Sequence, residues 1–249
     1  MIKNIPLMFS LLVCYSTYSQ TIGSFKDQRD GKVYNTVVIG AQTWMSENLN
    51  VTKFNNGDII KEVQTDEEWK LALESRIPAC RIINGDKTKS RIYNWFAVND
   101  SRGLAPNGWI IPTDQDWKIL LDYLGGKDYA GPTLRNKTGW NSFETGGGTM
   151  ACPNCLNWNS EYRSKTPCHK CQDNRRITQP KVMTSGNGNN SSGFSAIPHN
   201  GESCVWWSST EHNENMAWSY SMRYNLGTGV FRDFYHKGVG YHVRCVKIK

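Results

Sequence analysis

The sequence predicts an α+β domain, rich in loops, with two short helices, antiparallel strands and an inserted zinc-ribbon-like knob. Three observations lead there. The chain has 249 residues, 38% of them apolar, with ten Trp and only 20% charge, so it holds itself by aromatic packing and lacks the Ala/Glu/Lys/Leu heptads of a helical bundle. Runs of β-branched residues stand near both ends of the chain. Between them a Gly/Asn/Ser-rich stretch carries four cysteines as two Cys-x-x-Cys pairs. A chain of this length buries roughly 70–75% of its unfolded surface, enough for a real core. Beyond the first twenty residues it has no run of the ~20 apolar positions that a membrane span requires, which excludes an integral helical membrane protein.

Residues 1–19 read as a signal peptide. Lys3 precedes an apolar run over 5–13, and Thr17-Tyr-Ser19 supplies small or near-small residues before Gln20, the expected first mature residue. Lipidation at Cys14 is the weaker alternative, because Leu11-Leu-Val13 sets a branched residue where a lipoprotein signal peptidase takes Gly, Ala or Ser. The protein is therefore expected outside the cytoplasm: secreted, periplasmic or at the cell surface.

The elements follow in order. Lys32-Val-Tyr-Asn-Thr-Val-Val-Ile39, between Asp30-Gly31 and Gly40-Ala41, predicts a strand or hairpin, and Gln42 to Asn50 a further short strand or turn. Asp66-Glu-Glu68 ahead of Trp69, Leu71, Ala72 and Leu73 predicts a helix with acids in its first turn, ended before Pro78. The second helix has the sharper start. Thr113 is its N-cap and Asp116 the third helical residue of a capping-box-like pair, while Trp117, Leu120, Leu121 and Leu124 form one apolar face before Gly125-Gly126. From 131 to 200 apolar runs are scarce apart from Gly193-Phe-Ser-Ala-Ile-Pro198. Strand-like pieces then return at 204–210, 217–224, 229–234 and 240–248.

Cys152-Pro-Asn-Cys155 and Cys168-His-Lys-Cys171 form the strongest chemical signal. Each turn presents two sulfurs about one ligand edge apart, and four thiolates close a tetrahedral shell around one Zn²⁺, leaving no position for a catalytic water. The segment 150–175 is too poor in apolar residues to hold its shape by burial. Structural zinc at Cys152, Cys155, Cys168 and Cys171 is the expectation; two disulfides, favoured by an oxidising compartment, and a redox pair are the alternatives. The knob is expected to protrude from the body and to be dispensable for its folding.

The formal charge is +7, and much of the excess sits over residues 152–181, where Arg163, Lys165, Lys170, Arg175, Arg176 and Lys181 outnumber Glu161 and Asp173. Four thiolates on Zn²⁺ offset part of it. In an exported protein nucleic acid is not the expected partner; a solvated loop, or contact with an anionic polysaccharide surface, is. No Gly-x-Ser-x-Gly elbow, phosphate loop or His-Glu-x-x-His occurs, and His169, His199, His212, His236 and His242 share no metal spacing. His236 and His242 near Asp233 read as surface or hairpin residues. No catalytic residue is predicted.

Eight blocks carry a family resemblance. They are Asp27-Gln-Arg-Asp-Gly-Lys-Val-Tyr34, Ile39-Gly-Ala-Gln-Thr-Trp-Met45, Glu47-Asn-Leu49, Arg91-Ile-Tyr-Asn-Trp-Phe-Ala-Val98, Gly103-Leu-Ala-Pro-Asn-Gly-Trp109 with Pro112-Thr-Asp114, Gly193-Phe-Ser-Ala-Ile-Pro198, Trp206-Trp-Ser-Ser-Thr-Glu211 and Val243-Arg-Cys-Val246. In this order, over residues 24–248, the chain resembles the Fibrobacter succinogenes major paralogous domain, found in exported proteins of Bacteroidetes and Fibrobacteres. The mature domain is accordingly placed at 20–249. The resemblance implies a C-type-lectin-like fold, related to formylglycine-generating enzymes, and implies little about activity. Ile110 stands where the family usually has His, which argues against catalysis there. Ala105 stands where some members have Cys, which removes one partner for Cys245. Cys80 with Cys245, Cys204 with Cys245, or three buried thiols all remain open. Gln179-Pro-Lys181 lacks the acid of a lectin calcium motif, so no calcium is predicted.

Trp44, Tyr93, Trp95, Trp109, Trp206 and Trp207 in the blocks, with Trp69 and Trp117 on the two predicted helices, are expected in the core. Trp140, Trp158, Trp218, Tyr220, Tyr224 and Tyr235 lie in polar surroundings, where exposed rings stack on sugars. The expected function is an exported, non-catalytic binding or cell-surface module for a glycan, a polysaccharide or a cell-surface protein. The alternative is a cryptic enzyme of the formylglycine-generating type using Cys204 and Cys245.

Overall fold

The computed structural model describes residues 21–83, 89–145, 149–151, 176–178 and 181–248. The chain runs β1 (Ile22–Lys26), β2 (Val33–Ile39), β3 (Gln42–Met45), β4 (Lys61–Glu62), α1 (Asp66–Glu74), β5 (Ala79–Ile82), β6 (Arg91–Tyr93) and α2 (Trp95–Val98). It continues through β7 (Trp109–Ile110), α3 (Asp114–Tyr123), α4 (Gly131–Leu134), β8 (Ser142–Thr145), β9 (Thr149–Ala151), β10 (Arg176–Thr178) and β11 (Val182–Ser185). The last elements are β12 (Ser203–Glu211), β13 (Met216–Arg223), β14 (Phe231–His236) and β15 (Val246–Lys247). The α+β class is correct, and nearly all pairing is antiparallel. No helix among the described residues is long and apolar enough to cross a membrane.

The first sheet has the order β1-β2-β3-β15-β7, so strands from both chain ends share it. The strands from the two chain ends do not pair directly: β3 lies between β2 and β15, and Val37, Trp44, Val246 and Ile110 form one row across four strands. The reason is local. Gly40 takes φ 59°, folding β3 straight back on β2 in a two-residue turn, and a Cβ there would lie 2.9 Å from the Tyr123 ring.

The second sheet, β12-β13-β14, divides the interior. Successive strand residues face opposite sides. Trp206 therefore enters a core with Trp44, Trp117, Phe194, Tyr220 and Met222, while Trp207 enters another with Tyr34, Met45, Tyr93, Trp95 and Cys245. Each indole N–H is satisfied: Trp206 donates to Asn48 Oδ1 and Trp207 to the Tyr93 carbonyl, both at 2.9 Å. All eight aromatics expected in the core are buried or packed against a core. A small sheet, β4-β5-β6, packs with α1 around Val63, Ala72 and Ala79.

Both expected helices form at their expected starts, each with a complete capping box: Thr65 with Glu68 for α1, Thr113 with Asp116 for α3. Two further helices among the described residues, α2 and α4, correct the count of two. Each has four residues, a single turn that leaves no periodic pattern to read. Asn94 starts α2, and its side chain also accepts from Ala79 N–H at 3.0 Å and donates to the Ile77 carbonyl at 2.8 Å.

Around Gly186, Phe194 and residues 223–227 the backbone is held by buried guanidinium groups. Arg135 is 4% exposed and donates to the carbonyls of Gly186, Arg223 and Gly227 at 3.2, 2.7 and 2.9 Å. Arg244, 2% exposed, donates to the Phe194 carbonyl and to Asn48 Oδ1, with its guanidinium 4.3 Å from the Phe194 ring centroid. Loops without ladder partners leave carbonyls unpaired, and a five-donor side chain gathers several at once.

Candidate functional site

Of the residues singled out in the sequence, Cys152, Cys155, Cys168 and Cys171 lie outside the described residues, as do Cys14, Trp158 and the signal segment 1–19. The chain on either side is ordered into two antiparallel ribbons: Val182–Ser185 pairs with Ser142–Thr145, and Ala151 pairs with Arg176. No group of three or more His, Cys, Asp or Glu side chains that could hold a metal occurs among the described residues.

Cys80, Cys204 and Cys245 are buried thiols, and neither proposed disulfide forms. Burial pushes Cys80 and Cys245 up to about 12, so neither is a thiolate at neutral pH. Cys204 Sγ donates to the Ile197 carbonyl at 2.9 Å. His242 was expected at the surface; it is buried, with Nδ1 3.3 Å from Ser90 Oγ and 3.2 Å from the Arg91 carbonyl. It follows Tyr241, whose backbone bonds Tyr93, and this draws the segment between the sheets. His236 accepts from Gly238 N–H within its own turn.

The expected sugar-stacking rings divide. Trp140 and Tyr220 are 5% and 3% exposed and belong to the core. Trp140 is buried because its indole donates to the Ala196 carbonyl at 3.0 Å, and Tyr220 because its ring stacks on Trp117 at 4.7 Å. Tyr224 and Tyr235 also pack against the cores. Trp218 is half-buried on the central strand β13, and directly opposite it on the edge strand β14 stands Phe234, 48% exposed, which sequence reading missed. His212 stacks on Phe234 at 4.2 Å and meets Trp218 edge-on at 4.6 Å.

This aromatic shelf adjoins a groove of about 550 Å³ between α3 and the β13–β14 strands, floored by Leu121, Tyr220 and Val230. Its construction starts in the Trp206-to-Glu211 block. The β12 register shifts after Trp207, and the irregular residues grip the start of α3: Ser209 N–H donates to the Pro112 carbonyl and Asp114 N–H to Thr210 Oγ1, both at 2.9 Å. Asp114, the first residue of α3, is thereby aimed at β14, where Arg232 Nε donates to its Oδ2 at 2.9 Å. The same guanidinium carbon lies 3.2 Å from the Trp218 ring centroid. Burial tends to lower the Arg232 pKa, but the Asp114 carboxylate outweighs it, and the net direction is up. Arg232 thus joins groove and shelf as a fixed cation. Lys118 with Asp122 and Lys127 with Asp128 complete the wall as ion pairs.

The arrangement can bind but holds no nucleophile, thiolate or metal cluster among its lining residues. The family model described as the Fibrobacter succinogenes major domain matches residues 37–247. The chain belongs to this family. No curated protein and no solved structure matches it. In this Fibrobacter succinogenes major domain the groove is lined by three acidic and three basic side chains. Ile110, at the usual His position of the family block, sits on β7 opposite Val246, 37% exposed and without a polar group to offer.

Proposed function

We propose that this family member is an exported, non-catalytic binding module of C-type-lectin-like fold that recognises a surface glycan or a partner protein through the α3–β14 groove. The observation that carries the reading is the joined site itself: a floored groove, an Asp114–Arg232 pair fixed by the β12 bulge, and an exposed aromatic shelf alongside. Such a concave, partly apolar site with a few fixed polar groups is the usual form of a small-ligand site. Export rests on the signal-like segment 1–19. Burial of Cys204 and Cys245 speaks against a formylglycine-generating type of chemistry, which needs reachable thiols.

Cys152, Cys155, Cys168 and Cys171 would hold one structural zinc. The Ala151–Arg176 pairing supports this by closing the ends of the segment that carries them, and four soft sulfur donors suit Zn²⁺. Zinc there supplies only shape. Mature protein purified without chelator should carry one zinc per chain, and chelation should leave the main thermal transition in place. Absence of zinc together with absence of free thiols in the insertion would assign disulfides instead.

The binding reading is tested by retention of mature protein on immobilised cell-envelope polysaccharide and envelope protein fractions. Retention of the native protein and its loss in Arg232→Ala and Phe234→Ala variants supports it; equal retention of all three removes the groove from the account.

A further inference from the structure

We infer that the groove takes a neutral, polyhydroxylated ligand, a saccharide chain, in preference to an acidic polymer; this rests on the reading of the groove as the binding site. Each formal charge on its wall meets an opposite one: Arg232 with Asp114, Lys118 with Asp122, Lys127 with Asp128. The wall is therefore balanced in charge while dense in donors and acceptors. A sugar hydroxyl both donates and accepts, so it can be satisfied by either member of a pair without leaving an unmatched charge. An acidic polymer would meet the carboxylates as well as the cations, and like charges brought together oppose binding.

The apolar parts of the site fit the same ligand class. Sugar rings carry C–H faces that pack on aromatic and aliphatic surface, and here the floor is Leu121, Tyr220 and Val230. Arg232 and Phe234 alternate along β14 on one face, so the exposed Phe234 ring extends the contact surface beyond the groove mouth. The volume of about 550 Å³ has room for a short oligosaccharide, within the range of small-ligand sites. Much of the chain's excess positive charge lies over residues 152–181, away in sequence from the groove residues.

The test is titration calorimetry of the mature protein with two sets of probes: neutral cello-, xylo-, manno- and malto-oligosaccharides, and acidic oligogalacturonates and sulfated oligosaccharides. The expected result is binding of at least one neutral series, unchanged between low and high salt. Arg232→Ala and Phe234→Ala should each weaken it by at least about tenfold. Phe234 is exposed, so its variant should keep the native thermal transition and separate binding from folding. Acidic probes binding in preference, with salt-sensitive affinity lost in Arg232→Ala, would overturn the inference and leave the groove as the site. Neutral binding indifferent to both substitutions would overturn the site itself. No binding by any probe would overturn the saccharide assignment.

Discussion

Arg232 and Asp114 stand 118 positions apart in sequence and form the ion pair that ties the edge strand β14 to the first turn of α3. The pair is partly open to solvent, with 40% and 21% of the two side chains exposed, so its role is placement more than stability. Asp114→Ala should therefore cost only about 0.5–1 kcal/mol in urea denaturation, once solvent screening and the lost first-turn acid are counted. It should still weaken ligand binding. A loss above about 3 kcal/mol, the range of a broken buried pair, would make the contact a structural strut instead.

Trp117 is the opposite case. Its ring touches Trp44, Phe194, Trp206 and Tyr220, and it is 1% exposed. Trp117→Ala should cost about 3–5 kcal/mol by chemical denaturation, the range for removal of a large core aromatic. A loss under 1 kcal/mol would mean that this core can be emptied without effect.

Arg135 should behave as a core residue despite its charge. Arg135→Met keeps the stem but leaves the Gly186, Arg223 and Gly227 carbonyls without their donor, at about 1–3 kcal/mol for each buried group that stays unpaired. Hydrogen exchange should accelerate around residues 186 and 223–227 in that variant. Unchanged exchange there would show that the loops hold themselves.

Much of this was legible in the sequence, for reasons that differ by element. The α1 and α3 helices announce themselves because cap and apolar stripe are local, within a few residues of one another. The α2 turn is invisible because Asn94 acts through Ile77 and Ala79, partners that only the fold brings near. The buried arginines are unreadable for the same reason: in Val243-Arg-Cys-Val246 every residue is buried, since the segment passes between two cores and has no solvent face to alternate with. The candidate site shows both limits. Asp114 was recognised as a helix start, but its partner lies on β14, and Trp218 and Phe234 meet only through the register of two strands.

Alkaline pH should destabilise the domain. Burial raises Cys80 and Cys245 to about 12 and pushes Tyr34, Tyr93, Tyr220 and Tyr241 upward as well. A raised folded pKa means that the native state keeps protons the unfolded chain releases. The stability so gained is complete below about pH 8.5, the unfolded thiol value, and is lost as pH rises toward 12, at about 1.4 kcal/mol per pH unit for each thiol. The thermal midpoint should be flat from near neutrality to about pH 8 and fall beyond about pH 9. Cys245→Ala should shallow that fall. A midpoint that rises between pH 9 and 11 would contradict the buried-thiol arrangement.

The central claim, that this domain binds through the face built by α3 and β14, is tested most directly by hydrogen–deuterium exchange on mature protein, free and saturated with envelope polysaccharide. The account predicts slowed exchange over Asp114–Tyr123 and Phe231–His236, with β1 and β2 unchanged. Protection confined to the Cys-rich segment 152–175, or to the β1–β2 hairpin, would contradict it.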